Sequence, residues 1–228
     1  MESTYTLIFA VLGGLLPALF WLWFWLHEDG KSPEPRGLVA RAFLAGMGVV
    51  ILVLPFQGIA FSFFKQNTFV MIILWAATEE IFKFGAAYFT IFHRKELDEP
   101  IDAVIYLITA ALGFVALENA MFLFFPSMGG NVTDSIITGN LRFVGASLLH
   151  VIASASIGIA IAFSFYRTQK VRRFYTIFGL FIAVALHTAF NLFIMDENGE
   201  NTLVVFSVLW LAIAGLMLFF EKIKSLAH

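Results

Sequence analysis

Two adjacent glutamates, Glu79 and Glu80, lie in a segment that is otherwise strongly apolar, and Lys83 follows them one helical turn later. An ionised side chain at membrane depth costs about 2.5–3.5 kcal/mol on insertion scales, so such residues usually have a function. On a helix, one ammonium at Lys83 can partly neutralise both carboxylates. Two acids this close should not both ionise freely, and such a carboxylate can serve as a general base or acid. The structural alternative is a Glu–Lys pair that only locks helix packing.

Three further apolar segments each carry polar residues in their middle or outer half. Glu118 and Asn119 are adjacent, His150 follows in the next segment, and His187 and Asn191 share one helix face because they are four residues apart. An isolated histidine on an apolar face is commonly a packing residue, and an amide such as Asn119 can simply bridge two helices. Two histidines with three glutamates on four segments instead favour one shared polar site.

This set of side chains could hydrolyse a bond. Glutamate and histidine can activate a water, and histidine with asparagine can donate hydrogen bonds to a developing oxyanion. The sequence contains no His-Glu-x-x-His motif, no pair of mid-span aspartates and no intramembrane serine-protease pattern. Zinc held by His150, His187 and a glutamate remains open, because catalytic zinc often takes two histidines and one carboxylate.

The composition places these residues in a membrane protein. The chain has 228 residues, of which 60% are hydrophobic and 13% charged, and its mean hydropathy is +0.88. A soluble domain has roughly 45–50% apolar and about 25% charged residues. There is no cysteine, which excludes disulfides, thiolate metal sites and cysteine nucleophiles. The apolar composition predicts a lipid bilayer as partner, and the net charge of −2 without a large basic block argues against nucleic acid.

The sequence predicts an all-α membrane protein, a bundle of about seven transmembrane helices, as a single domain over residues 1–228. Apolar runs of around twenty residues are the signal for membrane spans. The first run is not expected to be a cleavable signal peptide, because it lacks a positively charged start and a small-residue cleavage site. The predicted spans are Tyr5–Leu26, Leu38–Phe63, Thr68–Phe92, Ile101–Phe125, Gly139–Tyr166, Phe174–Met195 and Thr202–Phe220.

Positive charge between the spans predicts the orientation, because cytoplasmic loops are rich in lysine and arginine. The first, third and fifth loops and the C-terminal tail hold most of these residues, whereas the alternate side has Lys65 and Arg142. The N-terminus is therefore predicted outside and the C-terminus in the cytoplasm. Trp21, Trp23 and Trp25 are interpreted as an interfacial aromatic belt at the inner end of the first span.

Four short motifs together resemble the PrsW family of intramembrane peptidases, within the clan of CAAX-prenyl proteases and bacteriocin-processing enzymes. The resemblance covers nearly the whole chain in the right order, and Leu16–Trp21 with Pro33–Arg36 resembles the family's first hairpin. The CAAX branch has histidine where this chain has Glu118 and arginine where it has Lys83, which argues against prenylated substrates. The four motifs are Glu79-Glu80-x-x-Lys83, Gly113-Phe114 with Glu118-Asn119, His150, and His187-x-x-x-Asn191.

The resemblance implies a metal-independent, glutamic-type endopeptidase in the bacterial cytoplasmic membrane. Its substrate would be a membrane-anchored protein, such as an anti-sigma factor in regulated proteolysis. Glu79 would be the general base for water and Glu80 its support. His187 and Asn191 would stabilise the oxyanion, and His150 would either polarise the water or join the oxyanion site. The supporting residues would be Lys83, which tunes the carboxylates, with Glu118 and Asn119 as shaping residues or proton shuttles.

Two rival functions fit the same residues. A proton- or ion-coupled transporter could use Glu79, Glu80 and Glu118 as a relay, although the chain shows no inverted repeat or pair of broken helices of the kind that many transporters contain. A zinc peptidase of similar design is the second. A purely structural or receptor-like role would leave the three glutamates and two histidines at membrane depth unexplained.

Overall fold

The computed structural model describes residues 2–28, 33–128, 145–194 and 202–225. Over these ranges the chain is helical and contains no strand, and five of its helices are long and apolar enough to cross a membrane. The predicted all-α membrane architecture is therefore confirmed at this level. The seven helices are α1 (Glu2–Glu28), α2 (Arg36–Phe64), α3 (Thr68–Thr90), α4 (Pro100–Met128), α5 (Ser147–Phe163), α6 (Gln169–Ile194) and α7 (Thr202–Lys224).

The remaining two helices, α3 and α5, carry the central charged residues. α3 contains Glu79, Glu80 and Lys83, all of them buried. The described part of α5 has 17 residues, whereas the predicted span began at Gly139, which lies outside the described residues. The exact number of spans and the orientation of the termini stay predictions.

Helix α4 is the centre of the bundle, and α1, α2 and α5 pack around it. From Ile101 to Leu112 every apolar side chain of α4 is at most 2% exposed. An apolar helix in a membrane protein can face either lipid or other helices, and here α4 faces other helices on all sides. Burial of α4 on all sides fixes the positions of Phe114 and Glu118 relative to the neighbouring helices.

Two glycines allow α2 and α4 to cross at very short range. A Cβ atom at Gly46 would collide with the backbone carbonyl of Ala110, and one at Gly113 would collide with that of Phe43. Small residues at such crossings let helix backbones approach and gain packing energy. The Gly113 of the second motif is therefore a packing position.

Local hydrogen bonds set where the two site-bearing helices begin. The side chain of Asn67 accepts a hydrogen bond from the Val70 backbone N–H at 3.2 Å and caps α3. Asp102 accepts the backbone N–H groups of Asp98 at 2.8 Å and Glu99 at 2.7 Å, which satisfies donors at the start of α4. These caps place the chemistry-bearing residues in the helix interiors.

The interpretation of Trp21, Trp23 and Trp25 as one interfacial belt is wrong for two of the three. Trp21 is 8% exposed and Trp25 is 1% exposed, whereas Trp23 is 61% exposed. The Trp25 ring packs on Phe220 of α7, with 5.7 Å between ring centroids. Trp21 and Trp25 are core residues, because the face of α1 that carries them packs against α4 and α7.

Candidate active site

A cavity of about 750 Å³ lies beside the buried charged residues. Five of the residues singled out in the sequence line it together: Glu79, Glu118, His150, His187 and Asn191. They come from α3, α4, α5 and α6, so residues far apart in the chain share one polar wall. Glu80, Lys83 and Asn119 do not line the cavity and pack behind or beside that wall.

The cavity is open toward the outside of the bundle on one side. Among its lining residues, those with exposed side chains are Leu54 of α2 and Phe122 and Phe125 of α4, which are 44%, 47% and 62% exposed. The same two helices are in tight contact about two to three turns away, at Gly46 and Gly113. The cavity therefore reaches the surface of the bundle on the side where Leu54 of α2 and Phe122 and Phe125 of α4 lie.

The Glu79 carboxylate faces this cavity with one oxygen held and one oxygen available. Gln57 of α2 donates a hydrogen bond to Oε1 at 2.8 Å. No donor among the described residues reaches the buried Oε2, and His187 Nε2 lies 3.7 Å from it. A buried carboxylate oxygen without a partner is costly unless it serves a ligand or a reaction.

Glu80 is the hub behind the cavity wall. It is fully buried, and its Oε1 lies 2.6 Å from Lys83 Nζ and 2.7 Å from His187 Nδ1. Ser154 of α5 donates to its second oxygen at 3.4 Å. Side chains of α3, α5 and α6 therefore contact one carboxylate. This carboxylate forms an ion pair with the Lys83 ammonium and holds the His187 ring in place.

These contacts determine which ring nitrogens of the two histidines carry protons. A carboxylate can only accept, so a neutral His187 places its proton on Nδ1 and turns the lone pair of Nε2 toward Glu79. The Lys83 ammonium can only donate, and it lies 2.8 Å from His150 Nδ1. Neutral His150 therefore carries its proton on Nε2. His187 is prepared to accept a hydrogen bond and His150 to donate one.

Glu118 has no basic residue nearby in its own helix, and its partner is His150 of α5. Its Oε2 lies 3.3 Å from His150 Nε2. Asn119 instead donates to Ser147 of α5 at 3.4 Å and is buried. Of the two roles left open for Asn119, its contacts are those of an amide that bridges two helices.

Sequence reasoning missed three side chains that support the site. Gln57 anchors Glu79, and it is the lone amide in α2, which was a usable signal. Ser154 contacts Glu80. Phe114 was noted only as part of a motif, yet its ring lies 5.1 Å from Lys83 Nζ and 5.2 Å from the His150 ring, where it contributes a cation–π contact.

Comparison with known proteins identifies the family of the chain. The profile of the family described as "PrsW family intramembrane metalloprotease" matches residues 34–217. The chain belongs to the PrsW family. The match contains all four motifs, so the resemblance found in the sequence is confirmed, and with its apolar helices the chain is a multi-pass protein of the bacterial cell membrane.

Relatives in the PrsW family match most of the chain at low identity. The proteins named "Protease PrsW" from Halalkalibacterium halodurans and Oceanobacillus iheyensis are 26% and 27% identical, over 78% and 84% of this chain and 79% and 85% of their own length. The one from Bacillus subtilis is 25% identical over 81% of this chain and 82% of its own length. No protein of solved structure matches the chain significantly.

The family description names a metalloprotease, and the residue types here are suitable for a metal. Glu79, His150 and His187 each offer one ligand atom within 4.8 Å of the others, and two histidines with one carboxylate form a catalytic zinc set. The hydrogen bonding of His150 does not fit. Its Nδ1 accepts from Lys83, so its Nε2 carries the proton and has no lone pair to give. The residues as arranged do not form a three-ligand metal site.

Proposed function

We propose that this chain is an intramembrane endopeptidase that cleaves membrane-anchored proteins with a water activated by Glu79. The observation that carries the proposal is the pairing of two acceptors in one cavity. Glu79 Oε2 has no donor among the described residues, and the lone pair of His187 Nε2 lies 3.7 Å away. One water can donate a hydrogen bond to both atoms, which holds its oxygen toward the centre of the cavity.

The reaction follows from that position of the water. Its oxygen attacks the carbonyl carbon of the scissile peptide while Glu79 takes one proton. The tetrahedral intermediate then collapses, the C–N bond breaks, and Glu79 returns the proton to the leaving amine. Gln57 keeps Oε1 fixed, so the same oxygen, Oε2, receives and returns the proton.

Two donors in the cavity can stabilise the oxyanion. His150 Nε2–H and the side-chain amide of Asn191 both belong to lining residues. In the free protein the His150 proton is directed to Glu118, 3.3 Å away, and a developing oxyanion would compete for it. We therefore assign His150 to the oxyanion site, with Asn191 beside it. Both side chains are already in the cavity before reaction, which lowers the reorganisation that the transition state requires.

Glu80 and Lys83 act as positioning residues in this scheme. Glu80 holds His187 in the tautomer that presents Nε2 to the water. Lys83 donates to His150 Nδ1 and so keeps the His150 proton on Nε2, where it can be donated to the oxyanion. Glu80 and Lys83 form a buried ion pair at 2.6 Å, and this pair connects the supports of His187 and His150.

The opening at the side of the bundle suits a substrate that arrives within the bilayer. Its exposed lining residues Leu54, Phe122 and Phe125 are apolar, as a passage for a transmembrane segment should be. Within this proposal the protein has seven spans, an external N-terminus and a cytoplasmic C-terminus, and its substrate is a membrane-anchored regulator such as an anti-sigma factor.

The test is cleavage of a membrane-anchored reporter by the purified protein in proteoliposomes. Glu79→Gln should lower the cleavage rate by about 10²–10⁴-fold, the usual contribution of a general base. Glu221→Gln makes the same chemical change at an exposed carboxylate far from the cavity and should leave the rate unchanged. Full activity of Glu79→Gln would refute the proposal.

A further inference from the structure

A second cavity, of about 450 Å³, lies between the C-terminal part of α3 and the first turns of α6. It shares no lining residue with the cavity that contains Glu79. Its floor is apolar and includes Phe84 of α3, Phe92 just after the end of α3, and the buried Ile161 of α5. Its rim is polar and basic, with His93, Gln169, Arg172 and Arg173.

The rim carries positive charge without a protein counter-ion. No lining residue of this cavity is acidic. Within the described parts of the chain, neither the Arg172 nor the Arg173 guanidinium has a carboxylate within 4.0 Å. Two arginines with ten N–H donors between them are well suited to phosphate oxygens.

The apolar floor continues into the lipid-facing surface of the same helices. Phe89 is 79% exposed, Phe174 is 68% exposed and Phe181 is 69% exposed. A ligand that fits both parts has an anionic phosphate head for the rim and a hydrocarbon chain for the floor. Basic pockets between transmembrane helices bind anionic lipid head groups in this way.

We propose that the cavity between α3 and α6 binds one anionic phospholipid, with its phosphate on Arg172 and Arg173 and the start of an acyl chain along Phe84 and Phe92. The inference is independent of the peptidase reaction. It also gives the lipid a structural role, because α3 carries Glu79 and Glu80 while α6 carries His187. A lipid that bridges these two helices would stabilise the packing that brings Glu80 to His187.

The experiment is native mass spectrometry of the detergent-purified chain with phosphatidylglycerol, phosphatidylcholine or inorganic phosphate. We expect a tightly retained phosphatidylglycerol, and roughly 30-fold weaker binding in the double variant Arg172→Gln/Arg173→Gln, because the phosphate loses its two direct charge-assisted contacts. The matched control Arg94→Gln/Lys170→Gln removes the same charge from neighbouring residues that do not line the cavity and should bind normally.

A second variant tests the floor without changing the charge. Thr176→Phe adds an aromatic ring to a lining position and should reduce retention of the lipid while the arginines stay in place. The proposal is overturned if phosphatidylcholine binds equally well, if both double variants lose binding to the same degree, or if inorganic phosphate displaces the lipid and binds alone as tightly. Thermal stability of each variant without added lipid shows whether the fold is intact.

Discussion

His187 Nδ1 lies 2.7 Å from Glu80 Oε1, and this contact joins α6 to α3 at the back of the cavity. It makes Glu80 a fixed orienting group, although the residue next to it, Glu79, faces the cavity. Adjacent residues on a helix point about 100° apart, so the two neighbouring glutamates face different surroundings. In the proposed mechanism Glu79 carries the chemistry, because Glu80 is occupied by His187 and Lys83.

Glu80→Gln should destabilise the fold and lower catalytic turnover. The substitution leaves the Lys83 ammonium buried without its carboxylate, which costs about 3–5 kcal/mol in comparable buried pairs. It also removes the acceptor that keeps the proton of His187 on Nδ1. We expect a clear fall in melting temperature in a thermal shift assay, and a fall in kcat in the proteoliposome assay.

The double variant Glu80→Gln/Lys83→Met separates the two effects. It removes the unpaired cation, so most of the lost thermal stability should return. The kcat should remain low, because His187 still lacks its carboxylate. Recovery of both stability and kcat in the double variant would show that the pair only supports packing, and would contradict the positioning role.

Removal of metals should leave cleavage intact. Both nitrogens of His150 are engaged in the described arrangement, by Lys83 and by Glu118, so Glu79, His150 and His187 do not present three lone pairs. We expect full activity after prolonged dialysis against a strong chelator, with far less than one zinc per chain by elemental analysis. Activity that is lost on chelation and restored by zinc would instead place a metal on Glu79 and His187.

Gly113→Ala should be strongly destabilising. The new Cβ atom would collide with the backbone carbonyl of Phe43, which cannot move without shifting α2. Overpacking of this kind typically costs about 1–3 kcal/mol. Gly48→Ala provides the control, because a Cβ atom there meets nothing within 4 Å. Thermal denaturation in detergent should separate the two variants, and equal melting temperatures would contradict the close crossing of α2 and α4.

Narrowing the sideways opening should impair binding of substrate more than chemistry. Met121 of α4 is a half-buried lining residue beside the exposed Phe122. Met121→Trp should raise KM for a membrane-anchored reporter several-fold with a smaller change in kcat. The control is Leu211→Trp on the lipid-exposed surface of α7, which is outside the cavity. A KM unchanged by Met121→Trp would argue for access by another route.

Much of this protein could be predicted from its sequence by itself. Apolar runs of bilayer length specified a helical membrane protein, because only helices satisfy their own backbone hydrogen bonds in lipid. The cost of charge in that environment singled out Glu79, Glu80, Lys83, His150 and His187. Their order and spacing identified the PrsW family, which the family comparison confirmed.

The tertiary structure decided which of those residues contact one another. Sequence spacing allowed Lys83 to pair with either glutamate, and packing against His187 and Ser154 selected Glu80. Helix packing also placed Gln57 of α2 against Glu79 of α3, and it buried Trp21 and Trp25 in the core. Spacing along one helix sets only which face a residue occupies. Which partner meets that face depends on helix crossings such as Gly46 with Ala110, and these are long-range contacts that no local pattern contains.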